Sequence, residues 1–356
     1  MQIFVVEKIG GGLPTTKVVD CFVIRRWLIP RNGTHPAHRG VFSTISSDEI
    51  SYFRIAIIAM KFSICYARAR RVRTAAACLL VALVFASSVG FAPPDEVSFL
   101  RSFGGFSRPH AAAFDNSGNL YVVDSGNDRV IKFSAQGDSL ACVSGSGFGD
   151  TQFESPDGIA VTGTDVYVAD YGNHRIQRFN RNLDYMATLY TRDDPNDDKR
   201  FGYPKGVAVS SQGDLFVLDG ENIRIMKVNA FNVIQQNFGS LDAGAERLIS
   251  PAQITIDAND VLYVLDDGVI KMFDIYGNPS GTLAKFFPAP ARAISGSGDA
   301  LFILSDSAMT GVSARLAEQS PYEIHLPDTR AQWFALAVSK NSIALLDEHT
   351  AYLYSR

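Results

Sequence analysis

From residue 97 onward, apolar residues occur in short runs that turn-forming residues separate at regular intervals. The unit PHAAAFDNSGNLYVVD, which begins at Pro109, predicts two apolar strands joined by a tight turn. Related segments begin at Pro156, Pro204, Pro251, Pro290 and Trp333. They close 14 or 15 residues later, at Asp124, Asp170, Asp219, Asp266, Ser305 and Asp347. Six occurrences at nearly the same spacing indicate a repeat architecture.

Two further strands follow each of these pairs. The run RVIKF at Arg129 predicts a third strand, and VIQQNF at Val233 is an example of a fourth. Four antiparallel strands in 39 to 48 residues make one propeller blade. The second strands are apolar on successive residues, which predicts burial on both faces. One position in them is aromatic and is expected to pack between blades: Tyr121, Tyr167, Phe216, Tyr263 and Phe302.

The two ends of the repeat region predict how the ring closes. The sixth repeat has only three strands before Arg356, and a strand-like segment, residues 97–104, precedes the first repeat. That segment is expected to complete blade six and to remove an exposed sheet edge. The sequence therefore predicts an all-β, six-bladed β-propeller over residues 97–356.

The first 96 residues differ from the repeats. Residues 60–92 begin with Met60, continue through a basic stretch and an apolar run over 74–86, and end in small residues. This pattern predicts a cleaved signal peptide, with a signal anchor over 74–92 as the alternative. Residues 1–59 are then expected to be a non-native or disordered extension, and residues 93–96 a linker. The expected location is secreted or periplasmic.

Charge and cysteine content narrow the function classes. Residues 97–356 hold 21 Lys and Arg against 31 Asp and Glu, so they would repel a phosphate backbone, and nucleic acid is not an expected partner. Cys142 is the single cysteine of this region, which excludes an internal disulfide and a cysteine-based zinc site. Because it lies in the apolar run LACV, Cys142 is expected to be buried.

The segments PDGIAVTGTDVYVADYGNHRIQRF (156–179) and DSGNDRVIKF (124–133) resemble NHL repeats. The family pattern has a Pro, a Gly, two strands, and then Asp, Asn and Arg before the third strand. The resemblance implies a six-bladed propeller and no single activity, because proteins of this kind include RNA-binding, protein-binding and sensor domains and, among close relatives, lyases.

Strand alternation brings two sets of loops to one face of the disc. Residues just after the recurring Pro positions are expected to ring the central channel there: His110, Asp157, Lys205, Gln253 and Arg292. Residues of the neighbouring turns, Tyr171, His174 and Glu221, extend this candidate ligand site outward. Mixed charge around a funnel is typical of a small-ligand or peptide site, and the competing interpretation is that these side chains only line the channel.

Other candidate sites favour structural interpretations. Asp and Arg five residues apart, as in Asp124 and Arg129, suit an ion pair across a turn. The acidic insertion TRDDPNDDKRFGY (191–203) matches no calcium loop and is expected to be a solvated loop. An amidating-lyase metal site would need several histidines in the channel, where only His110 is expected, whereas His174, His325 and His349 are expected elsewhere.

No catalytic motif, cofactor or metal site is predicted. The leading hypothesis is an exported binding or scaffold module for a peptide, protein or saccharide partner. The membrane is involved only if the N-terminal segment stays as an anchor. The alternative is an enzyme that uses the channel and is related to the metal-dependent amidating-lyase propellers.

Overall fold

The computed structural model describes residues 3–8, 22–27, 97–283, 291–305, 309–313, 322–324 and 332–356. The chain divides into two compact units, Met1–Phe91 and Ala92–Arg356. In the first unit, strands β1 (Ile3–Lys8) and β2 (Phe22–Trp27) pair antiparallel. The rest of the predicted extension, the signal segment and the linker lie outside the described residues. None of the described helices has the length and apolar character needed to cross a bilayer.

The second unit is built of six four-stranded antiparallel sheets, which confirms the predicted six blades. Blade one comprises β4 (Pro109–Phe114), β5 (Leu120–Asp124), β6 (Arg129–Phe133) and β7 (Ser139–Ser144). Blade two comprises β8 (Ile159–Val161), β9 (Asp165–Asp170), β10 (Arg175–Asn180) and β11 (Tyr185–Tyr190). Blade three comprises β12 (Pro204–Val209), β13 (Leu215–Asp219), β14 (Arg224–Val228) and β15 (Ile234–Phe238).

The remaining blades follow the same order. Blade four comprises β16 (Pro251–Ile256), β17 (Leu262–Asp266), β18 (Val269–Phe273) and β19 (Pro279–Thr282). Blade five comprises β20 (Ala291–Ser297), β21 (Ala300–Ser305), β22 (Met309–Ser313) and β23 (Tyr322–Ile324). Blade six comprises β24 (Ala335–Val338), β25 (Ser342–Leu346), β26 (Thr350–Ser355) and β3 (Ser98–Gly104). Short 3₁₀ helices occur at Ser125–Asn127, Asp197–Lys199 and Leu241–Glu246.

The ring closes as expected, because β3 from before the first repeat pairs antiparallel with β26 of the last one. The register joins Thr350 to Gly104 at one end and Ser355 to Ser98 at the other. The rings of Phe99 and Tyr354 pack edge to face, with 5.7 Å between their centroids. The seam is thus a continuous sheet made by two distant parts of the chain.

Apolar packing between the blades supplies the core. Six clusters of buried apolar residues each join two adjacent blades, so every blade interface has its own cluster. The second strands β5, β13 and β17 are buried at every position, as their unbroken apolar runs predicted. The recurring aromatic residues pack against the next blade; Tyr121 and Phe216, for example, are fully buried. Burial on both faces therefore explains the apolar pattern.

Candidate functional site

The first strands of the six blades, β4, β8, β12, β16, β20 and β24, are the inner edges of their sheets and line a central channel. The channel has a volume of about 460 Å³, within the range of small-molecule sites. Each inner strand enters from the loop-rich face. Polar residues therefore lie at this mouth, where the strands begin, and apolar residues such as Phe114, Val161 and Ile256 lie where they end.

Each inner strand begins with a β-bulge in which two residues oppose one residue of the second strand. The pairing shifts in this way between Pro109 and Ala111, and at the matching positions of blades three, four and five. In blade two, Asp157 and Gly158 both bond to Ala169, and blade six has the same pattern at Leu346. Six equivalent bulge residues result, in ring order His110, Asp157, Lys205, Ala252, Arg292 and Phe334. Bulges re-aim side chains and are common beside functional sites.

The bulge register refines the expected mouth residues. His110, Asp157, Lys205 and Gln253 line the channel as expected. Ala252 is the equivalent of Lys205, however, so Gln253 lies one residue further along its strand than the six bulge residues. Arg292 holds the bulge position of blade five and is exposed, but it is not among the described residues that line the channel. The spacing from the Pro positions already makes Ala252 the equivalent of Lys205. It does not show the shifted pairing of blade five, where Ala291 opposes Ser305 and Arg292 therefore takes the bulge position.

His110 and Asp157 form a pair at the mouth. His110 Nδ1 lies 2.8 Å from Asp157 Oδ1, and the His110 side chain is 43% exposed. No hydrogen bond from His110 Nε2 to another described residue is found. The pair joins blades one and two and leaves one ring nitrogen available to a guest.

Tyr171, His174 and Glu221 lie in a separate cluster at the junction of blades two and three. His174 Nδ1 accepts a hydrogen bond from the Tyr203 backbone N–H at 3.1 Å, so the proton of the neutral ring lies on Nε2. The Tyr203 ring contacts His174 at 4.1 Å and Tyr171 at 5.1 Å between centroids. Glu221 pairs with Arg192 beside these rings. Burial and the positive charge of Arg192 lower the pKa of His174, against the opposing effect of Glu221.

The Asp that recurs at the end of the second strand is structural. Asp124, Asp170 and Asp219 are fully buried and pair with Arg129, Arg175 and Arg224, which confirms the ion-pair interpretation. Each carboxylate also accepts a backbone N–H from the loop that enters the same blade, as Asp124 does from Ser107 at 2.7 Å. These pairs hold the two loop sets of the face together.

Blade four makes the same connection with a different residue. Its turn is shorter, so Val269 pairs with Asp266 and no Arg is available. Lys271, two residues further on, reaches Asp266 at 3.0 Å instead. Lys271 follows Asp266 by five residues, as Arg224 follows Asp219. Lys271 is the third residue of its strand, however, whereas Arg224 is the first residue of its strand.

The expectation that Cys142 is buried is wrong. Cys142 is exposed because β7 is the outer edge strand of blade one, where no further strand covers it. In the acidic insertion, Asp197 and Asp198 are 89% and 86% exposed, as a solvated loop requires. Within the part of the chain that the structure describes, no three His, Cys, Asp or Glu side chains are arranged to hold a metal ion. His349 Nδ1 bonds the Phe106 carbonyl, and His325 lies outside the described residues.

Comparisons with known proteins agree with this architecture. The NHL repeat family matches residues 106–133, 153–179 and 201–227. A Caenorhabditis elegans protein named "Probable peptidyl-alpha-hydroxyglycine alpha-amidating lyase" is 28% identical over 144 residues, 38% of this chain and 41% of that protein. NHL repeat-containing protein 2 of Gallus gallus is 32% identical over 89 residues, 23% of this chain and 12% of that protein. The matches thus span less than half of either relative.

Solved structures show the same fold. A streptogramin B lyase superposes with a TM-score of 0.53 and 14% identity, covering 73% of this chain and 98% of that chain. The virginiamycin B lyase from Staphylococcus aureus superposes with a TM-score of 0.51 and 13% identity, covering 72% and 98%. Identities this low carry the fold and not the activity. The chain is therefore a six-bladed β-propeller that carries NHL repeats in its first three blades.

Proposed function

We propose that this propeller is an exported recognition or scaffold module that binds a peptide, protein or saccharide partner at its loop-rich face. The supporting observation is the channel mouth, where His110, Asp157, Lys205 and Gln253 meet a channel of about 460 Å³. The partly exposed rings of Tyr171 and Tyr203 lie on the same face. Polar groups around a concave apolar site fix the orientation of a partner, and tyrosine is enriched at binding hot spots.

The test is a binding experiment with the full chain and two matched variants. Changing Lys205 and Arg292 together to Ala is expected to release the partner while the protein stays folded. Phe231→Ser is the control, because Phe231 is 86% exposed in the turn after β14, at the opposite face. Equal loss of partner in both variants, or no loss in the first, would reject the proposed face. Mapping the mature N-terminus tests export, and cleavage near residues 87–92 is the expected result.

The second candidate function is a channel enzyme. It is favoured by the His110–Asp157 pair, because a carboxylate that orients an imidazole is a common arrangement for proton transfer. It is also favoured by the partial match to a protein named as an amidating lyase. Metal analysis of the purified protein tests the metal-dependent form of this function, since stoichiometric zinc or calcium held in the channel would support catalysis.

A further inference from the structure

Charge is unevenly distributed around the channel mouth. The bulge residues of blades three, four and five are Lys205, Ala252 and Arg292, so two basic residues flank a methyl group. Asp157 is the single acidic residue among the described residues that line the channel, and it is paired with His110 in the other half of the ring. Among the described residues that line the channel, this half therefore holds a basic residue, Lys205, and no acidic residue.

The Lys205 ammonium is directed to this half. Its Nζ donates to the Pro251 carbonyl at 3.1 Å, and Pro251 directly precedes Ala252 in blade four. Lys205 is half-buried, and no carboxylate of a described residue lies within 4 Å of its ammonium. An ammonium group has three protons to donate, so two remain for a guest.

Gln253 adds a neutral donor below Ala252. Its Oε1 accepts a hydrogen bond from the Ile294 N–H at 2.9 Å, which fixes the amide with its oxygen directed to blade five. Gln253 Nε2 makes no hydrogen bond within the described part of the chain. The exposed Ala252 leaves open space between these donors.

We propose that this cationic sector, in which Lys205 and Gln253 are the donors beside Ala252, binds an oxyanion of the ligand. A carboxylate, a phosphate and a sulfate share the required chemistry, because each accepts several charge-assisted hydrogen bonds. The apolar part of the same ligand enters the channel between residues such as Ile159, Val207 and Leu336. This inference rests on the proposed function, since it assigns a ligand class to the same mouth.

Four probes with one phenyl ring and different head groups test the sector: benzoate, phenyl phosphate, benzamide and benzylamine. Calorimetric titration of the full chain at low salt is expected to show both anions binding at least about tenfold more tightly than benzamide, with benzylamine weakest. Whichever anion binds more tightly identifies the preferred head group.

Variants locate the effect. Lys205→Met keeps the apolar stem and is expected to weaken benzoate about tenfold while leaving benzamide unchanged. Ala252→Glu places a carboxylate in the space and is expected to abolish the preference for anions. Lys199→Ala, in the solvated insertion, is the matched control for lost positive charge. Equal affinity of benzoate and benzamide would overturn the sector but keep the channel as a site. If none of the four probes binds, both the sector and the channel site are rejected.

Discussion

Replacing Asp170 with Ala should be among the most destabilising single changes in the propeller. The Asp170 carboxylate is fully buried and accepts hydrogen bonds from the Glu154 N–H, from Asn173 and from Arg175 Nε at 2.7 Å. Arg175 is itself 2% exposed, and its other donors bond backbone carbonyls of the entering loop, such as that of Phe148. Removal of the carboxylate leaves this guanidinium buried without a counter-charge, which costs about 3–5 kcal/mol.

Asp347 offers a control at the equivalent position of blade six. Its carboxylate accepts from the backbone N–H groups of His349 and Thr350 and from the Tyr352 hydroxyl, all of them neutral. Asp347→Ala strands no buried charge and should cost about 1–3 kcal/mol. The difference between the two variants reports the uncompensated cation together with the deeper burial of Asp170.

Urea unfolding of the full chain, followed by circular dichroism, measures both free energies. Adding Arg175→Met to the Asp170→Ala variant should recover part of the loss, because the buried charge is then removed as well. The reasoning fails if Asp170→Ala costs no more than Asp347→Ala, or if the second substitution lowers the free energy of unfolding further.

Three further outcomes are expected. Deleting residues 97–104 should open the ring, lower the melting temperature and cause aggregation, and an unchanged melting temperature would contradict the closure. Because the pKa of His174 in the folded protein is lowered below its ordinary 6.5, the contribution of His174 to stability is present above pH 6.5 and is lost as the pH falls. In His174→Asp, the new carboxylate should accept the Tyr203 N–H as Asp128 accepts the Ser155 N–H. This variant should therefore remove the loss of stability when urea midpoints at pH 7.5 and 5.5 are compared. Gly158→Ala should cost about 1–3 kcal/mol, since its Cβ would lie 2.6 Å from a backbone atom of blade three, whereas Gly163→Ala, with nothing within 4 Å, should be nearly neutral in the same unfolding assay.

Much of the fold could be predicted from the sequence because each blade repeats the same spacing. The distance from Pro109 to Asp124 recurs to within one residue in every blade, and unbroken apolar runs such as residues 120–123 require burial on both faces. Closure was predictable because blade six lacks a fourth strand in its own repeat and β3 lacks a partner before the first repeat. Pairing β3 with β26 satisfies both. These inferences depend on periodicity, which the sequence displays directly.

The details of the mouth depend on features that periodicity hides. In blade five Ala291 pairs with Ser305, whereas in blade one Pro109 pairs with Asp124. Arg292 therefore holds the bulge position although it lies two residues after Pro290, and the repeat spacing does not show this shift. The shorter turn of blade four, which lets Lys271 take the place of an Arg, is also not visible in the spacing, because Lys271 still follows Asp266 by five residues. Cys142 is exposed because an outer edge strand can be apolar in sequence and still lack a covering partner.

The seam has a consequence for the order of assembly. Strand β3 is synthesised before any complete blade, yet its partner β26 is made some 250 residues later, after the strands of the first five blades. Until then the nascent chain holds an arc of sheets with an unsatisfied strand at its leading end, and such an edge can recruit a neighbouring polypeptide. Protection of the emerging chain should therefore matter most just before the ring is completed, and chains released early should be prominent among aggregates.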